Sequence, residues 1–204
     1  MMHDEGMLVV LSGPSGSGKD TVLAELFKSD VDFVRSISMT TRMPRNEEKN
    51  GVDYHFVSEE CFLTSITEGH MLEYAKYGEN YYGTPKAPVD NWLNEGDTVV
   101  LKIEVQGAGN IRKLYPDSVS IFLVPPSMDV LEKRLRDRGT ESDEDVRRRL
   151  DIACNELARI GEYDYVVIND DLKSAVEDIK TIIKAEHLKV SRRNNILSEV
   201  KNYV

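Results

Sequence analysis

Uninterrupted apolar runs and helical stripes alternate along most of this chain. Leu8-Val9-Val10-Leu11 is apolar throughout and leads directly into Ser12-Gly13-Pro14-Ser15-Gly16-Ser17-Gly18-Lys19. A short run without a polar break, bounded by glycine, predicts a strand buried on both faces. Behind the glycines, Val22, Leu23, Leu26 and Phe27 fall at helical spacing and predict a helix with one apolar face. Further β-like runs follow at residues 98–105, 119–124 and 165–168, and residues 33–38 are a candidate for one more. At 98–105, Val99, Leu101, Ile103 and Val105 alternate with Val100, Lys102 and Glu104, which puts both charged residues on one strand face. Helical patterns separate the last two runs. Strands alternating with helices predict an α/β fold, a parallel sheet covered by helices.

Two segments break this rhythm. Residues 39–91 are rich in Gly, Tyr and Asn and carry short β-like pieces such as Tyr54-His55-Phe56-Val57. That length is too great for a simple connection, so the segment reads as an inserted, mostly β subdomain. Residues 126–158 read as two helices joined at Arg138-Gly139-Thr140, with Ser127 and Ser142 as N-caps. Asp143, Glu144 and Asp145 suit the positive end of the second helix, and Val146, Leu150, Ala153 and Leu157 form its apolar stripe. The core is then left with residues 7–38, 92–125 and 159–204 of a single domain. From residue 185 onward a last helix is expected, with Ile196, Val200 and Tyr203 at helical spacing. It either packs on its own sheet or makes an oligomer contact, and a homo-oligomer stays open.

Composition narrows the class. With 204 residues, 40% of them hydrophobic and 30% charged, the chain can bury a core without metal or disulfide staples. Its 26 Lys and Arg stand against 36 Asp and Glu, a net charge of -10, which argues against a general binder of nucleic acid or anionic membrane. No apolar run is long enough to span a bilayer. Met1-Met2-His3-Asp4-Glu5-Gly6 is acidic where a secretory leader is basic, so a cytosolic (cytoplasmic) protein is expected. Cys61 and Cys154 lie far apart in no metal or redox spacing and are expected to be buried or idle thiols.

Gly13-x-x-x-x-Gly18-Lys19 between a predicted strand and a predicted helix is the setting of a phosphate-binding loop. Glycine permits the backbone angles that turn successive N–H groups inward, and the helix N-terminus adds its dipole. Lys19 supplies a point charge for the outer phosphates of a nucleoside triphosphate. Where Ser or Thr is expected after the lysine, to meet Mg²⁺, this chain has Asp20, followed by Thr21.

From this point the chain resembles the guanylate kinases, within the P-loop nucleoside monophosphate kinases. The matching stretches begin with the loop itself, Gly13-Pro14-Ser15-Gly16-Ser17-Gly18-Lys19, then Ser38-Met39-Thr40-Thr41-Arg42-Met43-Pro44-Arg45 and Gly51-Val52-Asp53-Tyr54-His55-Phe56-Val57. Glu73-Tyr74-Ala75, Asn80-Tyr81-Tyr82-Gly83-Thr84 and Val105-Gln106-Gly107-Ala108 follow. Arg134-Leu135-x-x-Arg138-Gly139-Thr140, Arg148-Arg149-Leu150 and Val167-Ile168-Asn169-Asp170-Asp171-Leu172 complete the set, in the family's order from about residue 7 to residue 183. The resemblance implies a P-loop NTPase-type core that binds ATP. It also implies that the insertion at 39–91 binds the acceptor nucleotide and that the helices at 126–158 form a lid. The activity implied is ATP-dependent phosphorylation of GMP, and of dGMP, to the diphosphate, with Mg²⁺ and by direct in-line transfer.

Such a reaction brings two polyanions together, so catalysis is mostly positioning and charge neutralisation. The acceptor phosphate is already ionised and needs no strong general base. The resemblance puts Arg42, Arg45, Tyr54 and Tyr82 on the acceptor phosphate, Arg45 among the catalytic groups. Guanidinium forks do suit a phosphate monoester. It puts Glu73 and Glu104 on the guanine edge, with Ser38 and Thr84 as hydroxyls and Thr84 donating to O6. Guanine satisfies a carboxylate there with N1–H and N2–H₂, whereas adenine leaves it unpaired. Glu104 stands where the family usually has Asp. Lys19, Arg134, Arg138 and Arg149 are the implied catalytic cations on the transferring phosphates, and Asn169 lies beside the adenine. Arg134 and Arg138, four apart, share a helix face.

The family's second core strand usually carries two acids before Gln-Gly, and here they are Lys102 and Glu104. The changes at positions 20 and 102 exchange polarity, so Asp20 is expected to pair with Lys102. Mg²⁺ is then held by ATP phosphates and waters, with Asp20 one candidate ligand. Two other readings compete with this one. A catalytically dead scaffold domain of the same fold is expected to have an eroded loop and lid, and this chain keeps both. A sugar-phosphate kinase has no use for the purine-edge set.

Overall fold

The apolar run behind the glycine loop forms β1 (Met7–Ser12), buried at every position in the computed structural model, which describes residues 6–28, 33–137, 142–193 and 196. The loop runs into α1 (Lys19–Leu26), whose Val22, Leu23 and Leu26 face the core as the helical spacing predicts. Next come β2 (Phe33–Arg35), β7 (Thr98–Lys102), β8 (Val119–Val124) and β9 (Tyr165–Ile168), with order β2-β7-β1-β8-β9 in a five-stranded sheet. β2 pairs in parallel with β7, Phe33 opposite Thr98, and β8 in parallel with β9, Ile121 opposite Tyr165. The expected α/β sheet with covering helices is therefore present.

The chain divides into two compact units, Met1–Val9 with Asp32–Ser118 and Val10–Val31 with Val119–Val204. In the first lies a second sheet built from β3 (Met39–Thr40), β4 (His55–Phe56), β5 (Met71–Tyr77) and β6 (Asn80–Pro85), in the order β4-β3-β6-β5. β5 and β6 form an antiparallel hairpin closed by Gly78-Glu79, with Tyr77 opposite Asn80 and Glu73 opposite Thr84. Gly78 turns there with φ 59°, a conformation glycine adopts without strain. The insertion also holds α2 (Glu59–Thr67), which the mostly β reading did not include. Ser58 caps it by accepting from the Cys61 N–H, and Glu59 and Glu60 suit its positive end. Its boundary at residue 91 falls inside α3 (Lys86–Glu95).

The run read as a strand over 98–105 stops at Lys102, and α4 (Val105–Leu114) starts three residues later with Glu104 as its N-cap. Val105, Ala108 and Ile111 are buried at helical spacing, so the alternation at Ile103 and Val105 merely continued into a helix. Lys102 and Glu104 are thus not two residues on one strand face.

In the second unit α5 (Met128–Arg136) and α6 (Asp143–Leu157) form the predicted helix pair. Ser127 accepts from the Val130 N–H and Ser142 from the Asp145 N–H, as capping side chains. Leu131 and Leu135 of α5 pack with Val146 and Ala153 of α6 in a small core of their own, edged by Met128 and Leu150. The joint at 138–140, including Arg138, lies outside the described residues. Among the described residues no single helix runs on from residue 185, although Ile196 is helical. Residues 185–187 end α7 (Leu172–His187), a 3₁₀ turn follows at Val190–Arg192, and Val200 and Tyr203 lie outside the described residues. Cys61 and Cys154 are free thiols and exposed rather than buried. Among the described residues no helix is long and apolar enough to cross a membrane.

Candidate functional site

The phosphate loop lies wholly in the second unit. Gly18 is the N-cap of α1 with φ 98°, and a Cβ there would stand 2.3 Å from Asn169 Nδ2, so both backbone angle and space require glycine. As the N-cap, glycine contributes no side-chain hydrogen bond to the N–H groups of the first turn. Lys19 is buried, and its Nζ lies over the loop, donating to the carbonyls of Gly13 (2.5 Å) and Pro14 (3.3 Å). Ser17 N–H donates to Pro14 O at 3.0 Å and tightens the turn between Ser15 and Gly16. Asp20 and Thr21 follow, exposed, in the first turn of α1.

Arginines from the helix pair reach this loop. Arg134 donates through Nη1 to Ser17 O (3.3 Å) and through Nη2 to Asn169 O (2.9 Å), and Arg149 Nη1 donates to Ser15 Oγ (3.2 Å). Asn169, at the end of β9 and buried, donates from Nδ2 to Ser17 O (2.8 Å). The structure therefore gathers Gly13, Pro14, Ser15, Gly16, Ser17, Gly18, Lys19, Arg134, Arg149 and Asn169 at one place. Arg138 lies outside the described residues. Among the described residues no group of three or more His, Cys, Asp or Glu is gathered to hold a metal ion. Asp20 and Thr21, exposed and next to the loop lysine in sequence, carry side-chain oxygens that could hold a hard cation together with phosphate and water.

The acceptor-side residues lie in the first unit. Ser38, Tyr54, Glu73, Tyr82, Lys102 and Glu104 line one cleft. Arg42 is half-buried, and its Nη2 donates to both carboxylate oxygens of Glu48 (2.8 and 2.9 Å) while Nη1 donates to Met43 O. Its guanidinium also lies 5.6 Å from the Tyr54 ring centre. Burial works to raise the Glu48 carboxyl, but the Arg42 side chain and the Arg45 N–H outweigh it and hold it below the usual carboxylate range. Arg45 itself is exposed; its backbone N–H donates to Glu48 Oε2 (2.7 Å), and its charge also acts on that carboxylate. The two arginines are thus not an equivalent pair of forks.

Glu73 is the most perturbed acid of the cleft. The β5–β6 register places it opposite Thr84, whose Oγ1 donates to Glu73 Oε1 at 2.8 Å. Thr84, expected to donate to the guanine O6, spends its proton on Glu73 in this structure. Burial pushes the Glu73 carboxyl up to about 7, against the opposing Thr84 hydrogen bond and with help from the charge of Glu104. Gly107, in the first turn of α4, makes room for it. A Cβ at Gly107 would stand 2.3 Å from Glu73 Oε2. Gly107→Ala is expected to displace the carboxylate and raise the KM for a guanine nucleotide about tenfold or more, with the KM for ATP unchanged. Steady-state kinetics with each substrate varied in turn checks this. A general loss of fold is not expected, because alanine is the better helix former.

Two residues with evident parts in this geometry carry none in the sequence reading: Glu48, which engages Arg42, and Gly107. Lys102, expected to pair with Asp20, donates to Tyr54 Oη in the cleft. Gly107 stood in a quoted stretch without a role. Nothing local marks Glu48, whose partner is reached by a fold of the loop.

The family model described as Guanylate kinase matches residues 5–186. The guanylate kinase of Oceanobacillus iheyensis is 50% identical over 192 residues, covering 94% of this chain and 93% of that protein. That of Lactobacillus johnsonii is 47% identical over 204 residues, 100% of this chain and 98% of its own. Among solved structures, the guanylate kinase of Anaplasma phagocytophilum superposes with a TM-score of 0.80 at 35% identity, covering 94% of this chain and 92% of that one. A match along nearly the whole length, at half identity and with the same fold, places the chain in the guanylate kinase family.

Proposed function

We infer that this chain transfers the γ-phosphoryl group of ATP to the phosphate of GMP, releasing ADP and GDP. The observation that carries the reading is a phosphate loop with its own arginines and a cleft with a buried, perturbed carboxylate, both in one chain. A phosphate oxygen of GMP attacks the γ-phosphorus in line as the bond to the β–γ bridging oxygen breaks, and the departing electron pair stays on ADP. Lys19 and the α1 N-terminus hold the triphosphate and draw off the charge on its outer oxygens. Arg134 and Arg149, reaching the loop from α5 and α6, add charge where it accumulates, and the resemblance assigns the same role to Arg138.

On the acceptor side, Tyr54, Tyr82, Arg42 and Arg45 take the GMP phosphate. An arriving dianion competes with Glu48 for the Arg42 fork. Ionised Glu73 accepts from guanine N1–H and N2–H₂, with Ser38, Thr84 and Glu104 completing the set around the base. Mg²⁺ bound with ATP neutralises phosphate charge and orients the transferring group, and Asp20 and Thr21 are the residues that would hold it.

The test is an initial-rate assay with Mg·ATP and, side by side, GMP, AMP, UMP or no acceptor. ADP release that depends on GMP and is at least about a hundredfold weaker with AMP is the expected result. Equal turnover with AMP, or none that depends on an acceptor, would overturn the reading.

A further inference from the structure

Lys102 stands where the resemblance calls for an acid, and its surroundings give it work on the acceptor side. It ends β7 and lines the same cleft as Ser38, Tyr54, Glu73, Tyr82 and Glu104. Its Nζ lies 3.1 Å from Tyr54 Oη and 4.8 Å from the centre of the Tyr54 ring. An ammonium group can only donate, so the phenol oxygen is the acceptor in this bond. The phenol's own proton is then left to point elsewhere, away from the lysine. The ring has little freedom to turn. Tyr82 meets it edge-on at 6.1 Å and 69°, Phe56 packs at 5.8 Å, and the Arg42 guanidinium lies 5.6 Å from its centre. With the ring held, the one soft variable left is the direction of the O–H bond, and Lys102 sets it.

We propose that Lys102 is a positioning residue for the acceptor phosphate. Its ammonium fixes the Tyr54 hydroxyl as a donor toward that phosphate, and the charge polarises the O–H so that it donates more strongly. An acid at this position would accept the phenol's proton instead and withdraw it from a phosphate. The inference rests on the GMP reading above and concerns the phosphate end of that ligand, not the base.

The experiment measures binding of GMP and of guanosine, which lacks the phosphate, by calorimetry. The proteins are wild type, Lys102→Met, Lys102→Arg, Tyr54→Phe and the Lys102→Met/Tyr54→Phe double variant. Lys102→Met is expected to bind GMP about tenfold more weakly, the loss typical of one charge-assisted hydrogen bond, with guanosine within about twofold of wild type. Lys102→Arg recovers most of that loss. In the Tyr54→Phe background the lysine change adds almost nothing, because both act through one hydroxyl. GMP binding unchanged in Lys102→Met, an equal loss of GMP and guanosine, or a full additive loss in the double variant each overturns the proposal. Should Lys102→Met fail to fold, Lys102→Gln carries the same comparison, with guanosine binding reporting an intact cleft. Failure of the wild type to bind GMP strikes the acceptor reading itself, and so is distinct from failure of the lysine's role.

Discussion

Lys19→Met is expected to lower kcat about a thousandfold while leaving GMP affinity within about twofold of wild type. The ammonium is buried against the loop and held by the Gly13 and Pro14 carbonyls, so its charge is already in place before any phosphate oxygen develops more. A preorganised donor of this kind is typically worth about 3–4 kcal/mol of transition-state stabilisation. Methionine keeps the length and apolar stem but carries no charge, which limits the change to the interaction in question. GMP affinity is spared because the guanine-side groups belong to the other unit. Lys19→Arg is not expected to rescue the rate, since a planar fork cannot take the place of a compact point charge under a tight loop. Single-turnover rates alongside GMP calorimetry separate the two quantities. A variant that loses GMP affinity as much as rate would show Lys19 acting through the fold rather than on the phosphates.

Glu73→Gln is expected to change selectivity, pH dependence and stability together. A glutamine presents an N–H₂ where guanine also presents donors, and it can pair with the acceptor N1 of adenine. The preference for GMP over AMP, as a ratio of kcat/KM, should fall about a hundredfold or more. In the wild type, Glu73 is ionised only as pH rises through about 7, and the proposed guanine contact needs the ionised form. Guanosine affinity should therefore strengthen from pH 6 to pH 8, with proton release below pH 7, and the variant should show neither. Using guanosine removes the titration of the ligand's own phosphate.

The sign for stability is the reverse of the usual acid. The folded state keeps a proton on Glu73 between its ordinary 4.5 and about 7, whereas the unfolded chain has lost it, so stability declines across that window as pH rises. Above pH 7 the full penalty is present, on the order of 3 kcal/mol. Glutamine never carries the charge, so the variant should melt higher than wild type at pH 8 and near it at pH 4.5. No difference in melting at pH 8 would mean that the carboxylate finds more solvent than its burial suggests. A site that is destabilising until its ligand arrives is a familiar exchange of stability for function.

What could be read in the sequence depended on how far apart the cooperating residues lie. β1, the loop and α1 are contiguous, and their apolar run, glycines and lysine carry both the fold and the chemistry within about one turn of strand and helix. The pair α5 and α6 was legible for the same reason, since Ser127 and Ser142 sit at their caps and the stripes are regular. α2 escaped because Phe62 is its only buried residue, so no stripe forms. The strand at 98–105 was overextended because Ile103 and Val105 keep a period of two across the entry to a helix. For the cleft, residue identities were indicated by resemblance, but not who touches whom. Arg42 with Glu48, Glu73 with Gly107 and Lys102 with Tyr54 are pairings made by loops and register, and no local pattern encodes them.

The hairpin of β5 and β6 gives base recognition an unusual kind of fragility. Glu73 and Thr84 meet because the two-residue turn at Gly78-Glu79 sets one pairing frame and no other. Side chains alternate between the faces of a strand, so an insertion at that turn that slips the pairing by a single residue would carry Thr84 to the far side of the sheet. The base reader could be lost without altering any group that touches the base. Conversely, nucleobase preference in such a protein is written partly as a length, and insertions and deletions at a distant tip can revise it as surely as substitutions in the cleft.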